Sequence, residues 1–242
     1  MAGEGTDGMT HRVPEPLGSP NSLARTASAG EDVPVQVDID SECSADRAAI
    51  RAVVRAAFDH HESVADLVDL IRVSPEFVPE LSLVARHEGK VVGHMMLSHA
   101  ELVDERDDRH RVLTLSPLAV APALQRRGIG SALVLAGLAG AEGLGEQLVL
   151  LEGSPRYYPR FGFRDCRTLR VQIDLPDWAP PEAGMAYALS AYHPAVRGRL
   201  VYPPAFAATA TGRRAGRVRE QGEPTMGHTA TDARVCPPCP RR

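Results

Sequence analysis

The sequence predicts an α/β (α+β) domain, and three stretches carry that prediction. An apolar run, Val112–Val120, leads into the glycine-bearing turn Gln125-Arg126-Arg127-Gly128-Ile129-Gly130 and then into Ser131–Leu138, which has helical spacing. Two apolar strands, Leu81–His87 and Val91–Leu97, meet across Glu88-Gly89-Lys90 as a hairpin. A further apolar strand, Gln147–Leu151, precedes the aromatic run Tyr157-Tyr158-Pro159-Arg160-Phe161-Gly162-Phe163.

The elements follow in order. Val35–Ile39 is a short strand. Asp46–Phe58 places Ile50, Val53, Val54, Ala57 and Phe58 on one stripe, an amphipathic helix. Ser44 stands at its N-cap, and Arg47 three residues on replaces the Glu or Gln of a capping box. His60–Ile71 is a second helix, with Val64, Leu67, Val68 and Ile71 on one face. After the hairpin come strand Arg111–Val120, helix Ser131–Glu142, strand Gln147–Leu151 and a short helix, Pro155–Arg160. Phe163–Ile173 and Met185–Leu189 read as closing strands.

A chain of 242 residues holds one domain of moderate size with tails. Residues 1–33 and 208–242 are rich in Gly, Ser, Thr, Pro and charge without apolar periodicity, so both are expected to be disordered around a domain at 34–207. The arginines Arg213, Arg214, Arg217 and Arg219 in the second tail read as a solvated cluster. Cys236-Pro237-Pro238-Cys239 has metal-ligand spacing but lacks a second ligand pair, and no metal site is expected.

A strand, a basic glycine turn and a helix together build an anion site. The first turn of a helix presents unpaired N–H groups and the positive end of its dipole. Gly128 and Gly130 leave room for a phosphate, while Arg126 and Arg127 add charge. Pro117 cannot donate to a sheet ladder, so it marks an edge, a bulge or a place where strands part. Strands that part beside such a turn leave backbone groups free to pair with an extended amide ligand.

Gln125-x-x-Gly128-x-Gly130 followed by Tyr158-x-x-x-Gly162-Phe163 resembles the signature of the GCN5-related N-acetyltransferases (GNAT). That signature is Gln/Arg-x-x-Gly-x-Gly/Ala between strand and helix, then Tyr-x-x-x-Gly-Phe. The Pro117-Leu118-Ala119-Val120 run and the Gly153–Phe163 run are most similar to the YhbS-like branch, and the resemblance spans about residues 35–206. It implies a GNAT fold, a mixed and mostly antiparallel central sheet with helices on both faces. It also implies acetyl-CoA as co-substrate and an amine acceptor, expected to be a small molecule, with direct attack in a ternary complex.

By the same resemblance, Gln125, Arg126, Arg127, Gly128, Ile129, Gly130 and Ser131 hold the pyrophosphate. Leu118, Ala119 and Val120 pair with the pantetheine arm, and an N–H near Leu118 or Val120 polarises the thioester carbonyl. Tyr158 matches the general acid; a phenol's pKa of about 10 lies close to that of an alkyl thiol. Tyr157 is read as facing elsewhere, into the core. Family members often place a Glu on the strand before the turn, and Val112–Leu115 has none. Glu152 is the candidate base, with His94, His99 and Glu101 as rivals. The family's Asn after the next strand is replaced by Gly153-Ser154-Pro155.

The formal charge of −4 argues against nucleic acid as a partner. Lys90 is the only lysine among 27 basic residues, a bias of composition. There is no run of roughly 18 apolar residues and no apolar leader, so a cytoplasmic protein that avoids membranes is expected. A homodimer is possible by resemblance. A non-catalytic acyl-CoA-binding sensor or scaffold, and transfer to a protein amine, stand as the alternative functions.

Overall fold

The computed structural model describes residues 35–210. The predicted tails, apart from the helical residues 208–210, lie outside them, as do the arginine cluster and the Cys236/Cys239 pair. The elements are β1 (Asp38–Ser41), α1 (Arg47–Ala57), α2 (Glu62–Arg72), β2 (Phe77–His87), β3 (Lys90–Val103), β4 (Arg109–Val120), α3 (Ile129–Gly143), β5 (Leu148–Glu152), β6 (Arg164–Asp165), β7 (Val171–Gln172), β8 (Gly184–Ala188), β9 (Gly198–Val201) and α4 (Pro204–Ala210).

The strands form one sheet in the order β1-β2-β3-β4-β5-β8-β6, with β9 on β3 and β7 on β9. Every pairing is antiparallel except β4 with β5 and β7 with β9. The β2–β3 hairpin closes as predicted: His87 faces Lys90, and Glu88 (φ 50°) and Gly89 (φ 75°) supply the two positive-φ residues of the tight turn.

Alternation along the strands sorts the core into layers on the two faces of the sheet. On one face Leu83, Met95, Leu97, Leu113, Leu115 and Val149 pack against Ile129, Leu133, Val134 and Leu138 of α3. On the other, Val84, Met96 and Ala119 pack against Ile50, Val53 and Val54 of α1 and Leu67, Val68 and Ile71 of α2. A third cluster, around Leu102, Val112, Leu148 and Leu150, is sealed by Ile173, Val196 and Leu200. Beside α2, Arg72 donates to both oxygens of the buried Glu42 at 2.6 and 2.9 Å, and Ser82 adds a third bond at 2.7 Å. This pair is fully hydrogen-bonded, the condition for burying opposite charges.

Two predictions are corrected and two elements are added. The turn leading into α1 is capped at Cys43, whose N–H donates to Asp46 Oδ2 at 2.9 Å, instead of at Ser44. The expected strand 163–173 is broken: Asp165 caps a tight turn at Cys166–Leu169 by accepting from the Arg167 N–H, and Arg170 takes φ 56°. Strand β9 and helix α4, unforeseen, close the sheet beyond the end of β2, with β9 pairing Glu101–Val103.

Candidate functional site

The site begins with a fault in β4. Between Leu97↔Leu115 and Met95↔Leu118 the register slips, so Ser116-Pro117 carries an extra residue and forms a bulge. With no N–H at Pro117, a regular ladder cannot continue there. Strand β5 pairs with β4 only at Leu113↔Val149 and Thr114↔Leu150, then runs on to Glu152 with β8 as its one partner strand. The two strands part after Thr114.

Past the split, β4 stays paired to β3. The Ala121 N–H donates to the Val92 carbonyl, which sets the phase of this antiparallel ladder. The Ala119 backbone therefore faces His94 of β3, whereas Leu118 and Val120 point their N–H and C=O groups toward the split. The Gln125 amide donates to the Val120 carbonyl at 3.2 Å, which ties the glycine turn to this strand.

The turn delivers the chain into α3. Arg126 (φ 61°) and Gly128 (φ 86°) take left-handed conformations, and Gly128 is the N-cap. The first intrahelical bond runs from the Ala132 N–H to the Gly128 carbonyl, so the N–H groups of Ile129, Gly130 and Ser131 point out of the helix start. Buried Ile129 anchors this turn, Arg126 is exposed, and the Val35 N–H donates to the Arg127 carbonyl at 3.1 Å.

Across the split lies Gly153–Gly162. Tyr158 opens a one-turn 3-10 helix (Tyr158–Phe161), and its ring is buried edge-on to Phe163 at 5.6 Å and to Tyr157 at 5.0 Å. Gly153 makes room for it: a Cβ there would stand 2.4 Å from the ring. Burial pushes the Tyr158 phenol well above its ordinary range, and Tyr157 beside it adds to the shift.

Tyr157 packs against the core cluster through its ring, as expected, and its hydroxyl reaches out of that cluster toward the start of α3. Its ring is half-buried, its hydroxyl shares a hydrogen bond with the Ser131 side chain, and a Cβ on Gly130 would stand 2.9 Å from that hydroxyl. Successive residues of so tight a turn point about 120° apart. A Tyr-Tyr pair at its start therefore sends one ring inward and the other across the cleft, a signal that the sequence did contain.

Glu152 ends β5 two residues beyond the last β4–β5 pair, and Tyr202 donates to its Oε1 at 2.6 Å. Tyr202 was missed by sequence reasoning. It follows β9 and leans on Phe206 of α4, with ring centroids 4.8 Å apart. The rival bases are otherwise engaged. His94 is fully buried, its Nδ1 donating to the Leu83 carbonyl at 3.0 Å, and loss of hydration pushes its pKa down to about 4. His99 pairs with Glu146 at 2.9 Å, and Glu101 pairs with Arg109. Both lie along β3 beyond the bulge, opposite Leu113 and Arg111. Among the described residues no group of His, Cys, Asp or Glu is arranged to hold a metal ion, and no helix is long and apolar enough to cross a membrane.

The chain and its fold have counterparts among known proteins. A model of the acetyltransferase (GNAT) family matches residues 48–163. An uncharacterized N-acetyltransferase of Escherichia coli strain K12, YjhQ, is 39% identical over 121 residues, taking in 50% of this chain and 66% of its own. The 1.55 Å crystal structure of the GNAT family N-acetyltransferase YhbS from Escherichia coli, in complex with CoA, superposes with a TM-score of 0.63 at 26% identity. It covers 74% of this chain and 96% of its own. A GNAT family acetyltransferase from Brucella melitensis in complex with acetyl-CoA gives a TM-score of 0.57 at 30% identity, covering 71% of this chain and 98% of its own. By sequence match and by superposition, the chain belongs to the acetyltransferase (GNAT) family.

Proposed function

We propose that this protein transfers an acetyl group from acetyl-CoA to the amine of a small molecule. The observation that carries the reading is the split between β4 and β5 opening onto the first turn of α3. An extended amide arm finds the Leu118 backbone groups and the Val120 N–H facing the split, and a pyrophosphate finds outward N–H groups at Ile129, Gly130 and Ser131, with Arg126 and Arg127 adding charge. Gln125 acts through the Val120 carbonyl that it braces, and Ala119 through the strand that it holds to β3. The structures of relatives with CoA and acetyl-CoA support this choice of donor.

The chemistry follows from the groups around the split. The amine nitrogen attacks the thioester carbonyl carbon, and the carbonyl oxygen gains charge that a Leu118 or Val120 N–H stabilises. The C–S bond breaks and the thiolate takes a proton from the Tyr158 hydroxyl, which burial keeps protonated at neutral pH. Glu152 takes the proton lost by the amine, its carboxylate held in place by Tyr202. No covalent enzyme intermediate is needed.

Calorimetric titration with acetyl-CoA, CoA and a longer acyl-CoA, followed by thiol release across a panel of primary amines, tests the reading. Micromolar binding of acetyl-CoA with amine-dependent release of CoA is the expected result. A preference for the longer chain would change the acyl group, and absence of binding to all three would overturn the reading.

A further inference from the structure

We propose that Tyr157 is a further cofactor-binding residue, its hydroxyl serving with Ser131 as a side-chain hydrogen-bonding pair at the junction between the pyrophosphate and the pantetheine arm. The inference rests on the acetyl-CoA reading above and adds a residue to that site from the far wall of the split.

Three pieces of chain converge on the Tyr157 hydroxyl. It shares a hydrogen bond with Ser131 in the first turn of α3. It stands 2.9 Å from the place a Gly130 Cβ would fill, and the same place is ringed by Val120 Cγ2 at 3.7 Å and Leu118 Cδ2 at 3.8 Å. The hydroxyl thus lies where the stretch of β4 that has parted from β5, the start of α3 and the turn after β5 meet. A ligand running from the helix start into the split passes this point.

The ring is held there. Arg160 lies over it with its guanidinium carbon 4.8 Å from the ring centroid, while Arg160 Nε donates to the Tyr157 carbonyl at 2.9 Å. Phe161 meets its edge at 5.3 Å. Two hydroxyls sharing one hydrogen bond keep one further O–H to donate, and the outward N–H groups of Gly130 and Ser131 stand beside them. An oxygen of the diphosphate, or the first amide carbonyl of the arm, accepts from that set at no cost in side-chain ordering, because the ring is already fixed.

Calorimetric titration of the wild type, Tyr157→Phe, Ser131→Ala and the double variant with CoA and with dephospho-CoA tests the assignment. Tyr157→Phe keeps the ring, so its unfolding midpoint should stay near that of the wild type. Its affinity should fall about tenfold for both ligands. The double variant should lose less than the two single losses combined, because the hydroxyls act as a pair. Ser131→Ala leaves the tyrosine whole and gives a second readout if Tyr157→Phe is destabilised. Unchanged affinity would overturn the proposal, and so would tighter binding, the mark of a hydroxyl that only latches the empty cleft. A loss with CoA alone would move the contact to the 3′-phosphate and overturn the placement. A wild type that binds neither ligand fails earlier, at the acetyl-CoA reading itself.

Discussion

The Tyr202 hydroxyl donates to Glu152 Oε1 at 2.6 Å, joining the open end of β5 to the segment after β9, 50 residues on in the chain. The Glu42, Asp46 and Glu146 carboxylates, all withdrawn from solvent, each face a basic side chain, whereas no ion pair among the described residues engages Glu152. In the proposed reaction this carboxylate, held by the neutral Tyr202 donor, takes the proton of the amine. Glu152→Gln should lower kcat/KM for an accepted amine about a hundredfold while leaving acetyl-CoA affinity unchanged. Tyr202→Phe should cost about tenfold. The double variant should be no worse than Glu152→Gln, since the hydroxyl acts through the carboxylate. Steady-state thiol release with calorimetry of the donor reads all three. Additive losses would separate Tyr202 from Glu152.

Tyr158→Phe removes one O–H and keeps the ring that fills the space over Gly153 and against Phe163. Stability should change by less than about 1 kcal/mol. The rate of acetyl transfer should fall roughly 10- to 100-fold with no change in acetyl-CoA affinity. Because burial raises this phenol above its ordinary value, the wild type keeps the proton, and Tyr158 should contribute no loss of activity as pH rises to about 10. A basic limb near neutrality that Tyr158→Phe abolishes would contradict the buried, protonated phenol.

What the sequence showed of this site is what local pattern controls. Pro117 announced the bulge and the parting of β4 from β5, because a missing N–H is a property of one residue. Glycine spacing announced the turn before α3, because positive φ at Gly128 is also local. Tyr202 stayed hidden for the opposite reason: β9 is four residues long, carries one buried side chain, and pairs with β3 across about a hundred residues of sequence. The orientation of Tyr157 lay between these cases. Its neighbour satisfies the motif, and the 3-10 turn sets successive side chains about 120° apart where an α-helix would set them about 100° apart.

The glycines of the turn give a sharper test. Nothing lies within 4 Å of a Cβ on Gly128, so a side chain there fits in space; the obstacle is φ 86°. Gly128→Ala should cost about 1 kcal/mol and weaken CoA binding as the turn relaxes. At Gly130 the difficulty is steric, since the added carbon meets Tyr157. Replacing both with Val should abolish CoA binding in calorimetry while the chain keeps a cooperative unfolding transition. Wild-type affinity in that double variant would remove the phosphate from the turn.

His94 makes stability depend on pH. It is uncharged in the folded protein: Nδ1–H donates to Leu83, and Nε2 is buried with no partner among the described residues. Loss of hydration, with Arg72 nearby, lowers its pKa to about 4 against the opposing pull of Glu42 and the Leu83 bond. In the unfolded chain the imidazole titrates near about 6.5. Between those values the unfolded state binds a proton that the folded state refuses, so stability falls as pH drops from about 6.5 toward 4, by up to about 3 kcal/mol. Asp46 acts in a lower window. Burial alone would raise its pKa, but the Cys43 N–H and Arg86 hold it below the ordinary value, so its contribution is lost only under more acidic conditions. Urea unfolding at pH 7 and pH 4.5 should therefore show a large loss in the wild type. His94→Gln cannot titrate and can still donate to the Leu83 carbonyl, so its loss should be clearly smaller. Equal losses in the two proteins would mean that His94 is protonated in the folded state, and that the buried Nε2 has found an acceptor.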